Sequence, residues 1–291
     1  MAVRCPLSVV CCLLSVVLRQ PHLSPPASMT QIDSIQELRQ LQIDILDAVH
    51  QFCQERGITY FLSSGTLLGA VRHGGYIPWD DDIDLYMPRE SYDRFVQEFV
   101  GVVPHLEVYA TGKEGYFYTF AKVVDNRTQL VEDEFPELSL GVNIDIFPVD
   151  GVPNAMWQRK MEFSLKEFLV NWLRIRRKKE RKSKGFLRDL VANFFIKLPI
   201  SSKKITAIYH KFCSRHPHSK YVCNLSEVGP KIKGCFPRSC IASSVDIAFE
   251  GKTYKTMCGY IEYLTATYGD YMKLPPKEKQ IPHNCTAYWL D

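Results

Sequence analysis

From Ile35 onward the apolar positions Leu38, Leu41, Ile45, Val49 and Phe52 recur at spacings of three and four. That period predicts an amphipathic helix, and Gly57 marks its end. Ile58 to Leu62 is a short apolar run that predicts a buried strand, Ser63 to Thr66 reads as a turn, and Leu67 to Arg72 opens a second helix. Beyond Pro78-Trp79 the run Ile83 to Met87 predicts another strand, and a helix follows from Ser91 to Phe99. Strands are expected near Glu107 to Ala110, Phe117 to Val124 and Asn143 to Pro148, ahead of a long helical region from Asn154 to about Cys213. Val245, Ile247 and Phe249 then alternate as in a strand, and Met257 to Tyr268 is helical before a polar, Pro-containing loop. The order is mixed α and β, without an internal repeat.

Composition narrows the class. The 291 residues are 46% hydrophobic and 23% charged, with 16 Gly and 17 Pro, which excludes collagen-like, low-complexity and disordered chains. The net charge of +4 is unevenly placed: Arg174 to Arg188 holds nine of the 36 Lys and Arg against one acid, so the remainder is net negative. A single basic block suits a local anionic surface, such as a membrane, better than general nucleic-acid binding, and no nucleic-acid partner is expected. Ten cysteines without a CxxC pair or a regular framework read as reduced thiols. The apolar run from Cys5 to Leu18 is too short to span a bilayer comfortably. Residues 1–28 are therefore expected to lie outside the fold, as a targeting segment or an upstream extension before Met29. A cytoplasmic protein, peripheral on the membrane, is the corresponding expectation.

Candidate chemistry concentrates in Ser63-Ser64-Gly65-Thr66, Arg72-His73-Gly74-Gly75 and Pro78-Trp79-Asp80-Asp81-Asp82-Ile83-Asp84-Leu85. In an extended chain alternate residues share a face, so Asp82 and Asp84 point together while Ile83 and Leu85 enter the core. Two such carboxylates make a site for a hard cation, magnesium first and manganese as an alternative. A calcium loop is excluded, because its sixth position would be Leu85 instead of Gly and its twelfth Ser91 instead of Glu. The third carboxylate is Asp145, alone in the apolar run Val142 to Phe147, where an unpaired charge is costly and argues for a cation beside it. Lys122 fits either an edge residue with its stem along apolar surface or a phosphate ligand, and Arg72 either a helix end or a charge stabiliser.

The run YFLSSGTLLGAVRHGGYIPWDDDIDLYM, with VNIDIFPVDG at 142–151 and YGDYMKLPP at 268–276, resembles the LicD family of phosphotransferases, related to fukutin-type enzymes. The resemblance implies a nucleotidyltransferase-like α/β (α+β) fold, a small mixed sheet flanked by helices. Residues 29–291 would form one catalytic domain with a helical, basic insertion at about 154–215. It also implies transfer of a phospho-alcohol, phosphocholine or ribitol phosphate, from a CDP-alcohol donor to a glycan or lipid-linked glycan acceptor, releasing CMP. By the same resemblance Gly65 and Thr66 would cradle phosphate, with Ser64 beside them in the turn; Arg72 and Lys122 are candidate charge-stabilisers at the phosphate. Asp82 and Asp84 would bind magnesium, and Asp145 would complete the acidic cluster as a ligand or as a base. Two other readings are a sugar-nucleotide glycosyltransferase using the same D-x-D, and a non-enzymatic module that binds polyanions or membrane through residues 174–188.

Overall fold

The computed structural model describes residues 29–111, 113, 116, 118–132, 140–177, 198–226, 234–281 and 285–290. In chain order the elements are β1 (Met29–Ile32), α1 (Ile35–Arg56), β2 (Phe61–Leu62), α2 (Ser64–His73), β3 (Asp84–Pro88), α3 (Arg89–Glu98), β4 (Leu106–Tyr109), β5 (Ala121–Asp125) and β6 (Thr128–Glu132). There follow β7 (Asn143–Val152), α4 (Met156–Arg177), α5 (Ser202–Cys213), β8 (Tyr221–Asn224), β9 (Phe236–Pro237), β10 (Ser244–Phe249), β11 (Lys252–Met257), α6 (Tyr260–Tyr268) and β12 (Cys285–Leu290).

The central sheet runs β2-β3-β7-β5-β4, with β3 parallel to β7 and its other neighbours antiparallel; β8 joins the far half of β7 and β9 joins β8. This is the mixed α+β architecture expected. The long strand β7 is buried along nearly its whole length, which is why its sequence is a continuous apolar run with one acid in its first half. Helix α1 covers the sheet. Ser34 caps it by accepting the Gln36 and Glu37 amides, and Gly57 ends it in the left-handed conformation, φ +61°. Its buried face, Leu38, Leu41, Ile45, Leu46, Val49 and Phe52, is the periodic stripe visible in the sequence, each residue contributing about 1.5–3 kcal/mol on burial.

Several expectations shift. Ser64, Gly65 and Thr66 form the first turn of α2 and not a turn ahead of it, with Ser63 as its N-cap. Met257 closes the β10–β11 hairpin, paired with Ser244, and the following helix starts only at Tyr260. The strand expected over Phe117 to Val124 is β5, Ala121–Asp125. A three-stranded sheet β1-β12-β6 adds to the expected elements. It pairs Met29 with Leu290, and its strands are only four to six residues long, too short to carry a clear alternating signal. Helices α4 and α5 pack with β8 around a separate small core that includes Phe163, Val170, Tyr209 and Phe212. The basic run falls at the end of α4: its residues from 178 onward, and the side chains of 174–177, lie outside the description. Cys53, Cys213, Cys223, Cys235, Cys240 and Cys258 are free thiols. No helix among the described residues is long and apolar enough to cross a membrane.

Candidate active site

Strand register assembles the site. Asp84 of β3 lies opposite Asp145 of β7, and Lys122 of β5 lies opposite the same Asp145, so three chemistry-bearing side chains occupy one row across the sheet. The Lys122 ammonium donates to Asp145 Oδ1 at 2.6 Å and to Asn143 Oδ1 at 2.9 Å. Lys122 is therefore a buried residue of an inner strand and not an edge residue. Asp145 is therefore not an unpaired charge in the apolar strand: Lys122 is one counter-charge beside it.

Burial is the largest influence on Asp145 and pushes its carboxyl above the ordinary aspartate range. Lys122 pulls it back, through charge and hydrogen bond, and the negative charge of Asp82 pushes it up again. Asp82 is thus close enough to act electrostatically on Asp145. Asp82 and Asp84 are half-buried, while Ile83 and Leu85 between and after them are fully buried, the alternation that the extended chain requires.

The start of α2 holds Asp84 in place. The Asp84 amide donates to Thr66 Oγ1 at 2.8 Å, and its carbonyl accepts from the Ser63 amide at 3.0 Å and the Ser63 hydroxyl at 3.1 Å. Thr66 is buried, with its hydroxyl committed to the backbone of the acidic strand. Ser64 adopts a positive φ of 47°, unusual for a residue with a side chain, and its amide donates to the hydroxyl of the buried Tyr263 at 3.3 Å. At Gly65 a Cβ atom would stand 2.7 Å from Asp80 Oδ2. Only glycine lets that carboxylate approach the first turn of the helix, where the backbone amides and the dipole favour negative charge.

The loop between α2 and β3 is held from two sides. From α1 the Arg39 guanidinium donates to the carbonyls of Ile77, Pro78 and Asp80, and Gln42 donates to the Asp81 carbonyl at 2.7 Å. From the β10–β11 hairpin Glu250 accepts the Tyr76 amide at 2.8 Å, and its own amide donates to the Gly74 carbonyl. Arg39, Gln42, Tyr263 and Glu250 are site residues that sequence reasoning missed. Asp80 and Asn143 stood inside the motifs it singled out, but without a role.

Arg72 has other partners than the acidic row. Arg72 lies about 10 Å along the α2 axis from Gly65, with its guanidinium donating to the Tyr271 carbonyl and to His73. Among the described residues no three acidic, histidine or cysteine side chains converge closely enough to enclose a cation unaided. Magnesium retains water and substrate phosphate in its shell, so the paired oxygen donors Asp82 and Asp84 suit it, whereas thiophilic metals find no matching donors there.

Residues 57–173 match the family described as LicD/FKTN/FKRP, nucleotidyltransferase domain. Over 269 residues the chain is 34% identical to Lipopolysaccharide cholinephosphotransferase LicD of Haemophilus influenzae, an alignment that spans 88% of this chain and 98% of that protein. It is 37% identical over 62 residues to Ribitol 5-phosphate transferase FKRP of Homo sapiens, covering 21% of this chain and 10% of that protein. It is also similar to Mannosyltransferase regulator 4 of Saccharomyces cerevisiae, at 29% identity over 122 residues, 40% of this chain and 10% of that protein.

Proposed function

The chain belongs to the LicD family of phosphotransferases, and from that premise we propose that it moves a phospho-alcohol, of the phosphocholine or ribitol-phosphate type, from a CDP-linked donor to a glycan acceptor with release of CMP. The row Asp84, Asp145 and Lys122, with Asp82 beside it, is the observation that carries this reading. Phosphoryl transfer is catalysed mainly by positioning and by neutralising charge on phosphate oxygens, and this row offers both signs of charge side by side.

Asp82 and Asp84 are the residues that would hold magnesium, which supplies neutralisation of the donor pyrophosphate when bound. Asp145 takes the proton of the acceptor hydroxyl. Lys122 occupies its Oδ1, leaving Oδ2 for the hydroxyl. Lys122 orients that carboxylate and keeps it ionised. The amides at the start of α2, around Gly65, face the anionic donor once Asp80 yields the position. Ser63 and Thr66 hold the acidic strand against α2 throughout.

The test is a panel of CDP-alcohols, CDP-choline and CDP-ribitol among them, incubated with the protein, magnesium and a glycan extract. CMP formation, followed by mass spectrometry, is the expected result. Release of a nucleoside diphosphate from a sugar nucleotide would instead establish a glycosyltransferase, and no turnover of any donor by folded protein would overturn the enzymatic reading.

A further inference from the structure

Helix α4 has two apolar faces. One, containing Phe163, Leu169 and Val170, is buried, and it packs into the small core with α5 and β8. The other is a stripe in solvent: Trp157, Met161 and Leu165 follow one another at intervals of four and are 65%, 61% and 47% exposed. Phe168, at the next interval of three, is also exposed at 42% and lies against Trp172. A packed soluble helix has one apolar face; residues three and four apart in water form a contiguous patch that calls for an occupant.

The polar and charged residues around the stripe identify the occupant. Lys160, Ser164 and Asn171 are exposed along one border of it, by the 100° advance per residue. Toward its C-terminus the helix sequence carries Arg174, Arg176 and Arg177, and the chain continues as Lys178-Lys179-Glu180-Arg181-Lys182. The most cationic part of a chain that is otherwise net acidic thus follows directly on the exposed apolar stripe. A helix with Trp, Met and Leu on its outward face, a lysine at the border and a basic continuation has the form of a segment lying in a membrane interface. Its apolar side chains would sit below the headgroups and Lys160 at their level. We propose that the outward face of α4, through Trp157, Met161 and Leu165 with Lys160 at its border, docks this protein on an anionic lipid surface. The apolar stripe gives depth, and the positive charge in and after the helix gives preference for anionic headgroups. The docking makes no assumption about the reaction, and it is read out without turnover.

The experiment is sedimentation or flotation of the full chain with vesicles of phosphatidylcholine alone and of phosphatidylcholine with phosphatidylglycerol. Binding to the anionic vesicles, weakened by salt and largely absent from neutral ones, is expected. Met161→Gln with Leu165→Gln removes apolar area at exposed positions and should weaken binding at least tenfold. Lys160→Gln should weaken it about fivefold, the effect of one cation near the surface. Circular dichroism of both variants should match the parent, because Lys160, Met161 and Leu165 stand outside the buried core. Absence of vesicle binding by the parent chain would overturn the proposal, as would equal binding to neutral and anionic vesicles. So would unchanged binding of the Met161/Leu165 variant, which would leave attraction to the basic run alone. A dimer in solution that this variant dissociates, without vesicle binding, would assign the stripe to a second copy of the chain and overturn it equally.

Discussion

At the residue scale the proposed mechanism divides Asp82, Asp84 and Asp145 into ligands and a base, a division that mutation tests. Asp82→Asn and Asp84→Asn preserve size but remove anionic oxygen donors, so turnover should fall by at least about a hundredfold and the magnesium requirement should rise, with thermal unfolding little changed. Near-parent activity of Asp82→Asn at low magnesium would refute the assignment. Asp145→Asn should lose turnover to the same degree while keeping magnesium affinity, measured by calorimetry. Titration of the metal-free protein adds a sign. The Asp145 carboxyl is raised by burial and by Asp82, so without metal it should titrate above the ordinary aspartate range, followed by NMR of its carboxyl carbon. Lys122 opposes that rise, so Lys122→Met should move the titration further toward neutral pH. A titration that stays in place would show that Lys122 does not act on Asp145. In stability the same shift means that the folded state favours the protonated carboxyl. Relative to an unshifted aspartate, stability is lost as pH rises from the ordinary aspartate range through the raised value.

At the scale of elements, α2 and the loop that follows it are locked by close approach. A Cβ at Gly69 would collide with the Gly75 carbonyl oxygen and stand 3.1 Å from the Ile77 nitrogen, both backbone atoms that cannot turn aside. Gly69→Ala should therefore cost about 1–3 kcal/mol in chemical denaturation and displace the loop that carries the aspartates. A stability equal to the parent would show that the loop moves freely. Local pattern had revealed that α2 and the acidic strand exist, because a helical stripe and an alternating strand are written in consecutive residues. The clamp between them was illegible, since Arg39, Gln42 and Glu250 are ordinary polar residues 38 to 174 positions away from their partners in the loop.

At the scale of the whole molecule, a buried ion pair ties α3 to β7, the strand that also receives β8 and the small core around it. Arg89, at the start of α3, donates to both oxygens of Asp150 on β7, at 2.8 and 2.5 Å, with the aspartate almost fully enclosed. Asp150→Ala leaves the guanidinium only the more exposed Asp93, at 3.5 Å, and should cost about 2–4 kcal/mol in a denaturant titration, far more than any loss from an exposed pair such as Arg94 with Glu98. A cost under about 1 kcal/mol would mean that α3 and β7 hold without it. By itself the sequence determined the mixed α+β class, the α1 stripe and the alternation of half-buried Asp82 and Asp84 with buried Ile83 and Leu85. All of these depend on residues adjacent or one turn apart, where geometry is fixed by the period of the backbone. Only the tertiary structure decided that Lys122 is the partner of Asp145, that Thr66 serves the Asp84 backbone, and that Asp80 lies against Gly65. It alone closed β1 on β12 and left one face of α4 in solvent. Those outcomes depend on strand register and packing, and register is a choice among non-local pairings that no short stretch of sequence encodes.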